Sequence, residues 1–193
     1  MRGGLPLRPS QGANTVQPIR DREKIRQIKE LLIHRSYRDY FLFFMGVNSG
    51  LRISDILSLR VWDVKSATHL KVREKKTGNT RRILMTDALK NEIQKYCRTL
   101  GDSDYLFPSR NGDKPLSRVQ AWNIINAAAR DAGIQDSIGT HSMRKTFGYH
   151  FYQKYKDLAL LQQIFGHSSQ SVTIRYIGIT DDMIDQAMQH FSL

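Results

Sequence analysis

His69-Leu70-Lys71-Val72-Arg73-Glu74 and Thr80-Arg81-Arg82-Ile83-Leu84-Met85 alternate apolar and polar side chains, and Lys75-Lys76-Thr77-Gly78-Asn79 joins them. A period of two with β-branched residues is the mark of a strand covered on one face. Two such runs around a Gly-Asn turn predict an antiparallel hairpin with a basic tip. On both sides of this stretch the apolar period is helical. The fold class is therefore α+β, mainly α: a helical body carrying one small β-hairpin.

Working outward toward the N-terminus, Ile56, Leu57 and Leu59 mark a short helix with Ser54 or Asp55 near its start. Tyr40, Phe43, Phe44 and Val47 mark a more buried helix that Gly50 would stop. Ile25, Ile28, Leu31 and Leu32 make Asp21 to His34 an amphipathic helix. Residues 1–20 hold Arg2, Arg8 and Arg20 and no acid; with three prolines and three glycines before residue 19 they read as a flexible basic arm. Working toward the C-terminus, Leu89, Ile93, Tyr96 and Leu100 form a helix capped by Thr86 or Asp87. Gly101 to Pro115 reads as a loop, with Tyr105-Leu106-Phe107 as an edge strand. Ser117 and Gln120 form a capping box for a helix that buries Ala121, Ile124, Ile125 and Ala128 and ends at Gly133. Thr140 is the expected N-cap of a helix from His141 to about Tyr155. Asp157 to Phe165 is a short helix stopped at Gly166. Thr180 would cap a last helix, Asp181 to Phe191, with an apolar face of Met183, Ile184, Ala187, Met188 and Phe191. Ile177-Gly178-Ile179 would be a flexible link to it.

The 193 residues hold 30 Lys plus Arg against 18 Asp plus Glu, a net charge of +12 with a pI near 10.0. Forty per cent are hydrophobic, enough for a packed core. The mean hydropathy of −0.48 and a longest apolar run of only Tyr40 to Val47 argue against a membrane span. Cys97, the single cysteine, excludes an internal disulfide and a cysteine-based zinc site. No histidine pair has helical ligand spacing, and Lys76-Thr77-Gly78 belongs to no P-loop. A basic surface of this kind faces a polyanion, nucleic acid by default. Half of the excess lies between Arg60 and Arg82, with eight bases against two acids.

Several polar groups fall at element edges. Arg52 sits between Gly50 and the short helix, and Lys76 at the hairpin tip. His141 and Arg144 share one face of a helix start, where free N–H groups also favour an anion. His167 follows Gly166, and Tyr176 comes nine residues later. Each has an ordinary reading alone, and Tyr149, Tyr152 and Tyr155 equal Tyr176 by local pattern.

Together, Ser49-Gly50-Leu51-Arg52-Ile53-Ser54-Asp55-Ile56, Lys76-Thr77-Gly78, Thr140-His141-Ser142-Met143-Arg144-Lys145-Thr146-Phe147 and Phe165-Gly166-His167-Ser168-Ser169, with Thr173 and Tyr176 downstream, resemble in order and spacing the motifs of the tyrosine recombinases, the phage-integrase family. The resemblance covers roughly residue 20 to the C-terminus and implies a catalytic domain over 21–193. It implies Tyr176 as a nucleophile that leaves a 3′-phosphotyrosyl enzyme and a free 5′-hydroxyl, a step that is reversible without ATP. It implies that Arg52 and Arg144 clamp the non-bridging oxygens, which gain charge in the transition state. Lys76, with Lys75 as its adjacent competitor, would protonate the leaving oxygen. His141 would take or relay the tyrosine's proton, His167 would donate to the phosphate, and Asp55 would support the site by orienting an arginine or histidine. No metal or other cofactor is required, because the protein's own cations neutralise the charge.

Arg73, Lys75, Arg81, Arg82 and Lys145 are the expected DNA contacts. The partner implied is double-stranded DNA, bound by a homotetramer that is a monomer or weak oligomer when free, with accessory DNA-bending proteins as further candidates. No membrane partner is expected, and the location implied is cytoplasmic, on the nucleoid. The separate helical DNA-binding domain usual before the catalytic one has no counterpart here. The chain is therefore either an excised catalytic domain or a naturally short member like the fimbrial-switch invertases. Two other readings are a type IB topoisomerase-like nicking-closing enzyme and a non-catalytic DNA-binding regulator.

Overall fold

The structure is a computed structural model and describes residues 16–73, 78, 80–110, 114–179, 188–189 and 191, with only the backbone of Arg73 and Arg81. Its helices start and stop where side-chain chemistry tells them to. Asp21 caps α1 (Arg22–Arg35) by accepting from the Glu23 N–H at 2.8 Å. Ser36 caps α2 (Tyr37–Ser49), and Gly50 ends it in the left-handed region at φ 64°. A side chain at Gly50 would be strained there, and its Cβ would fall 2.6 Å from the Phe147 ring. α3 (Ile53–Ser58) follows with Arg52 at its N-cap, so Ser54 and Asp55 fall in its first turn as expected.

The hairpin forms as expected. β1 (His69–Arg73) pairs antiparallel with β2 (Thr80–Leu84), in a register that sets His69 opposite Leu84 and Lys71 opposite Arg82. Leu70 and Val72 turn into the core, while Lys71 and Arg82 stand exposed on the other face. α4 (Asp87–Tyr96) is capped by Thr86, and α5 (Arg118–Asp131) by the Ser117–Gln120 box. Tyr105 forms an isolated bridge with Arg60 rather than an edge strand.

α6 (Thr140–Tyr155) starts one residue early, with Gly139 as its N-cap. α7 (Leu158–Phe165) is capped by Asp157 and ended by Gly166. α8 (Gln170–Ile177), capped by Ser169, has no counterpart in the sequence reading. The Ile177-Gly178-Ile179 link is packed, not loose: both isoleucines are buried.

Two hydrophobic cores result. The larger joins α1 to α5 around Phe41, Leu42, Phe43 and Phe107. The smaller gathers Tyr152, Leu161, Phe165, Ile177 and Ile179. α6 belongs to both, through Met143 in the first and Tyr152 in the second. Gly148 lets α8 lie close against it, since a Cβ there would meet Ile177 at 2.6 Å and Phe165 at 2.7 Å. The seam between the two cores is therefore lined by the first turns of α6.

Residues 16–20, assigned to the arm by sequence, pack along this seam. Gln17 N–H donates to the Ser137 carbonyl at 2.9 Å, Ile19 N–H to Thr146 Oγ1 at 2.8 Å, and Arg20 Nη2 to the Gly178 carbonyl at 3.0 Å. Residues 1–15 lie outside the described residues. So does most of the expected last helix, of which Met188 and Phe191 are described and exposed.

Candidate active site

The first turn of α6 is fixed by a reciprocal pair: Ser142 Oγ accepts from the Gly139 N–H at 3.1 Å, and the Ser142 N–H donates to the Gly139 carbonyl at 2.9 Å. This places His141 at the surface and turns Arg144 inward, where it is only 2% exposed. Burying a guanidinium demands partners. Arg144 Nη1 donates to the Gly50 carbonyl and Nη2 to the Phe165 carbonyl at 2.8 Å. Its carbon lies 4.1 Å from the Phe165 ring centroid. One side chain thus ties the end of α2, just before Arg52, to the end of α7, just before His167.

Arg52 and His141 line the mouth of a pocket of about 570 Å³, together with Ser54, Arg118 and Trp122. Although His141 reaches the surface, partial desolvation of its imidazole against the pocket wall holds it below its ordinary pKa, and the nearby cations Arg144, Lys145, Arg52 and Arg118 push the same way. The ring therefore favours its neutral form, which can accept a proton. Asp55 sits on the first turn of α3. Ser54 Oγ donates to its Oδ1 at 3.3 Å, while Oδ2 is buried with no hydrogen-bond partner among the described residues. That oxygen is an acceptor still open to a donor beside Arg52.

His167 follows the left-handed Gly166 (φ 61°), and its Nδ1 lies 3.1 Å from Thr173 Oγ1. Thr173 Oγ1 also lies 3.1 Å from the Ser169 carbonyl, so the threonine hydroxyl links the His167 ring to the start of α8. Tyr176, half-buried on α8, meets His167 edge-on with ring centroids 5.1 Å apart, and Phe165 likewise at 5.6 Å. Burial pushes the Tyr176 phenol up. Arg144 and Arg52 oppose it through their charge, and Arg144 also through a hydrogen bond to the hydroxyl. Arg52, His141, Arg144, His167 and Tyr176 thus converge although 124 residues separate the first from the last. Of the eight tyrosines, the one that joins this cluster is the one the resemblance selected.

The remaining expectations fare unevenly. Lys76 and Lys75 lie outside the described residues. Arg73 and Arg81 hold the register positions opposite Thr80 and Val72. Arg82 is exposed and, with Lys71 and His69, lines a concavity of about 500 Å³ at the base of the hairpin. Lys145 does not present itself to a DNA surface. It is 6% exposed and its Nζ lies 5.4 Å from the Tyr176 ring centroid, because α6 is covered on that side by α8. Arg118 was not singled out by sequence. It sits one position past the Ser117 cap, a signal that starts a helix without saying which way its first residue points. Lys71 was visible only as one charge among eight.

With this geometry in place, comparison with known proteins defines the class. The phage integrase family model matches residues 21–183. The chain belongs to that family, and its fold is that of a tyrosine recombinase catalytic domain. It is 51% identical over 176 residues to a Bacillus subtilis (strain 168) protein named "Probable integrase/recombinase YoeC", covering 91% of this chain and 97% of that one. It is 29% identical over 175 residues to the tyrosine recombinase XerA of Pyrococcus furiosus, covering 89% of this chain and 60% of that one. A crystal structure of XerA recombinase superposes with a TM-score of 0.76 at 23% identity, over 98% of this chain and 68% of that one. XerH site-specific recombinase in a post-cleavage complex with its difH substrate gives 0.69 at 19% identity, over 88% and 51%. The enzyme class is therefore site-specific recombinase, and neither the regulator nor the topoisomerase reading is favoured. Among the described residues no helix is long and apolar enough to cross a membrane.

Proposed function

We propose that the chain cleaves and rejoins double-stranded DNA through a 3′-phosphotyrosine, with Tyr176 as nucleophile. The observation that carries this reading is the convergence of Arg144, Arg52 and His167 on the Tyr176 ring and hydroxyl. The Tyr176 oxygen attacks the scissile phosphorus, and neutral His141 takes or relays its proton. Arg52 and Arg144 stabilise the charge that develops on the non-bridging oxygens. His167 donates to the same group from Nε2. The 5′-oxygen leaves with a proton supplied by Lys76. A 5′-hydroxyl attacking the phosphotyrosine reverses the step and expels Tyr176, so the backbone bond is conserved without a high-energy cofactor. Asp55 supports the clamp from α3. Lys71, Arg73, Lys75, Arg81 and Arg82 grip flanking phosphates.

The solved relatives bound to DNA support the nucleic-acid partner. A homotetramer on DNA, help from DNA-bending proteins, and a nucleoid location follow as parts of the same proposal. The experiment is incubation with nicked suicide DNA, in which the cleaved strand diffuses away and traps the covalent adduct. The adduct is expected with the native chain and lost in Tyr176→Phe; an adduct that persists in that variant overturns the assignment.

A further inference from the structure

We propose that Lys145 is a positioning residue for Tyr176: its buried ammonium lies over the face of the phenol ring, holds that ring edge-on to His167, and favours the phenolate as the hydroxyl gives up its proton. The inference rests on Tyr176 being the nucleophile.

Lys145 and Arg144 are neighbours on α6, so their side chains leave the helix about 100° apart. Arg144 reaches the Gly50 and Phe165 carbonyls. Lys145 reaches α8, and its Nζ stands 5.4 Å from the Tyr176 ring centroid. It is 6% exposed, and among the described residues no carboxylate forms an ion pair with it. A buried ammonium without an anion is costly and needs compensation. The negative face of an aromatic ring provides some. It provides more when the ring belongs to a phenolate, whose charge is shared between the oxygen and the ring carbons.

The division of labour among the cations follows from where they stand. Arg144 and Arg52 act on Tyr176 at its oxygen end, where they must also serve the scissile phosphate. Lys145 acts from the ring face and, among the described residues, pairs with no carboxylate. Among the described residues the other groups facing this pair are His167, edge-on to the ring from the loop before α8, and Arg20; burial chiefly, and then the charge of Arg20, lower the Lys145 pKa. Arg175, on α8 itself, is exposed. A purely space-filling role would need only the aliphatic stem, which methionine supplies.

The test uses the full chain with 3-fluorotyrosine at position 176, read by ¹⁹F NMR as pH is raised, in the native background and in Lys145→Met and Lys145→Arg. The titration midpoint is expected to rise by about one pH unit in Lys145→Met and to return toward native in Lys145→Arg. Adduct formation on nicked suicide DNA should slow about tenfold in Lys145→Met at neutral pH, with the gap closing as pH rises. If Lys145→Met does not fold, Lys145→Gln carries the same measurements. An unmoved midpoint in a folded variant overturns the proposal, even where Tyr176→Phe has lost the adduct and the nucleophile stands. An adduct that survives Tyr176→Phe overturns the nucleophile reading and this role with it.

Discussion

Arg144 donates from Nη2 to the Phe165 carbonyl at 2.8 Å and covers the ring of the same residue at 4.1 Å. Through this contact the phosphate clamp is built into the join between the two cores. Arg144→Lys keeps the charge but cannot reach both the Gly50 and Phe165 carbonyls. Leaving one of them buried and unsatisfied costs about 1–3 kcal/mol. Losing the two-pronged donor should slow adduct formation about 10²–10³-fold. Thermal melting and single-turnover cleavage check the two effects, and DNA affinity should fall far less than rate.

Thr173 Oγ1 lies 3.1 Å from His167 Nδ1 and 3.1 Å from the Ser169 carbonyl. Thr173→Val removes the hydroxyl and frees the ring, so adduct formation should slow several-fold. Thr173→Ser restores the oxygen at the same depth and should recover most of the rate. Equal loss in both variants would mean that packing of the methyl group, not the hydrogen bond, matters.

Gly50→Ala should be among the most damaging single-methyl changes. The left-handed backbone and the 2.6 Å approach to Phe147 act together, for a cost of about 2–4 kcal/mol. Because the Gly50 carbonyl also receives Arg144, cleavage should drop even where the variant stays folded. Denaturant unfolding and the suicide-substrate assay read these separately.

Stability should fall on mild acidification. His150, whose Nε2 lies 3.0 Å from the Ile19 carbonyl, and His141 both have folded pKa values pushed down, chiefly by burial. The unfolded chain, near 6.5, therefore takes up protons before the folded one does. Their contribution is complete above about pH 6.5 and is lost as pH falls through the folded values. The melting temperature should be lower at pH 5.5 than at pH 7.5, and His150→Gln should flatten part of that slope.

Much of the fold was legible because most helices carry an apolar period and a side-chain cap. Ser117 caps the helix it was expected to cap, Thr86 rather than Asp87 caps α4, and Asp21 and Asp157, read as first residues of their helices, are the caps of α1 and α7. α8 was missed because it is short and half of its residues are polar, with Thr173 and Ile177 as its buried residues. Its Ser169 cap was the signal that could have found it. α6 was placed by its motif, but its packing was hidden. Ser142, Arg144, Lys145 and Thr146 are buried beside Met143, so no apolar stripe marks the inner face. That is also why Lys145 read as a DNA contact. The site itself has no local code: Arg144 meets partners 94 and 21 residues away, and only the order of the motifs pointed to their meeting.

DNA binding should weaken steeply with salt, because each phosphate neutralised releases a counterion and contributes about −0.9 to the slope of log K against log salt. Lys71 and Arg82 face each other across the hairpin and share one concavity, so each is a candidate for one phosphate. Lys71→Ala and Arg82→Ala should each reduce the slope by about one, and should weaken binding alike on target and unrelated duplexes. The double variant tells whether they hold one phosphate or two. A combined loss near two means separate phosphates along the backbone, whereas a loss near one means that the pair cradles a single group. A slope that neither substitution changes would remove the base of the hairpin from the DNA-binding face and leave the grip to other basic groups.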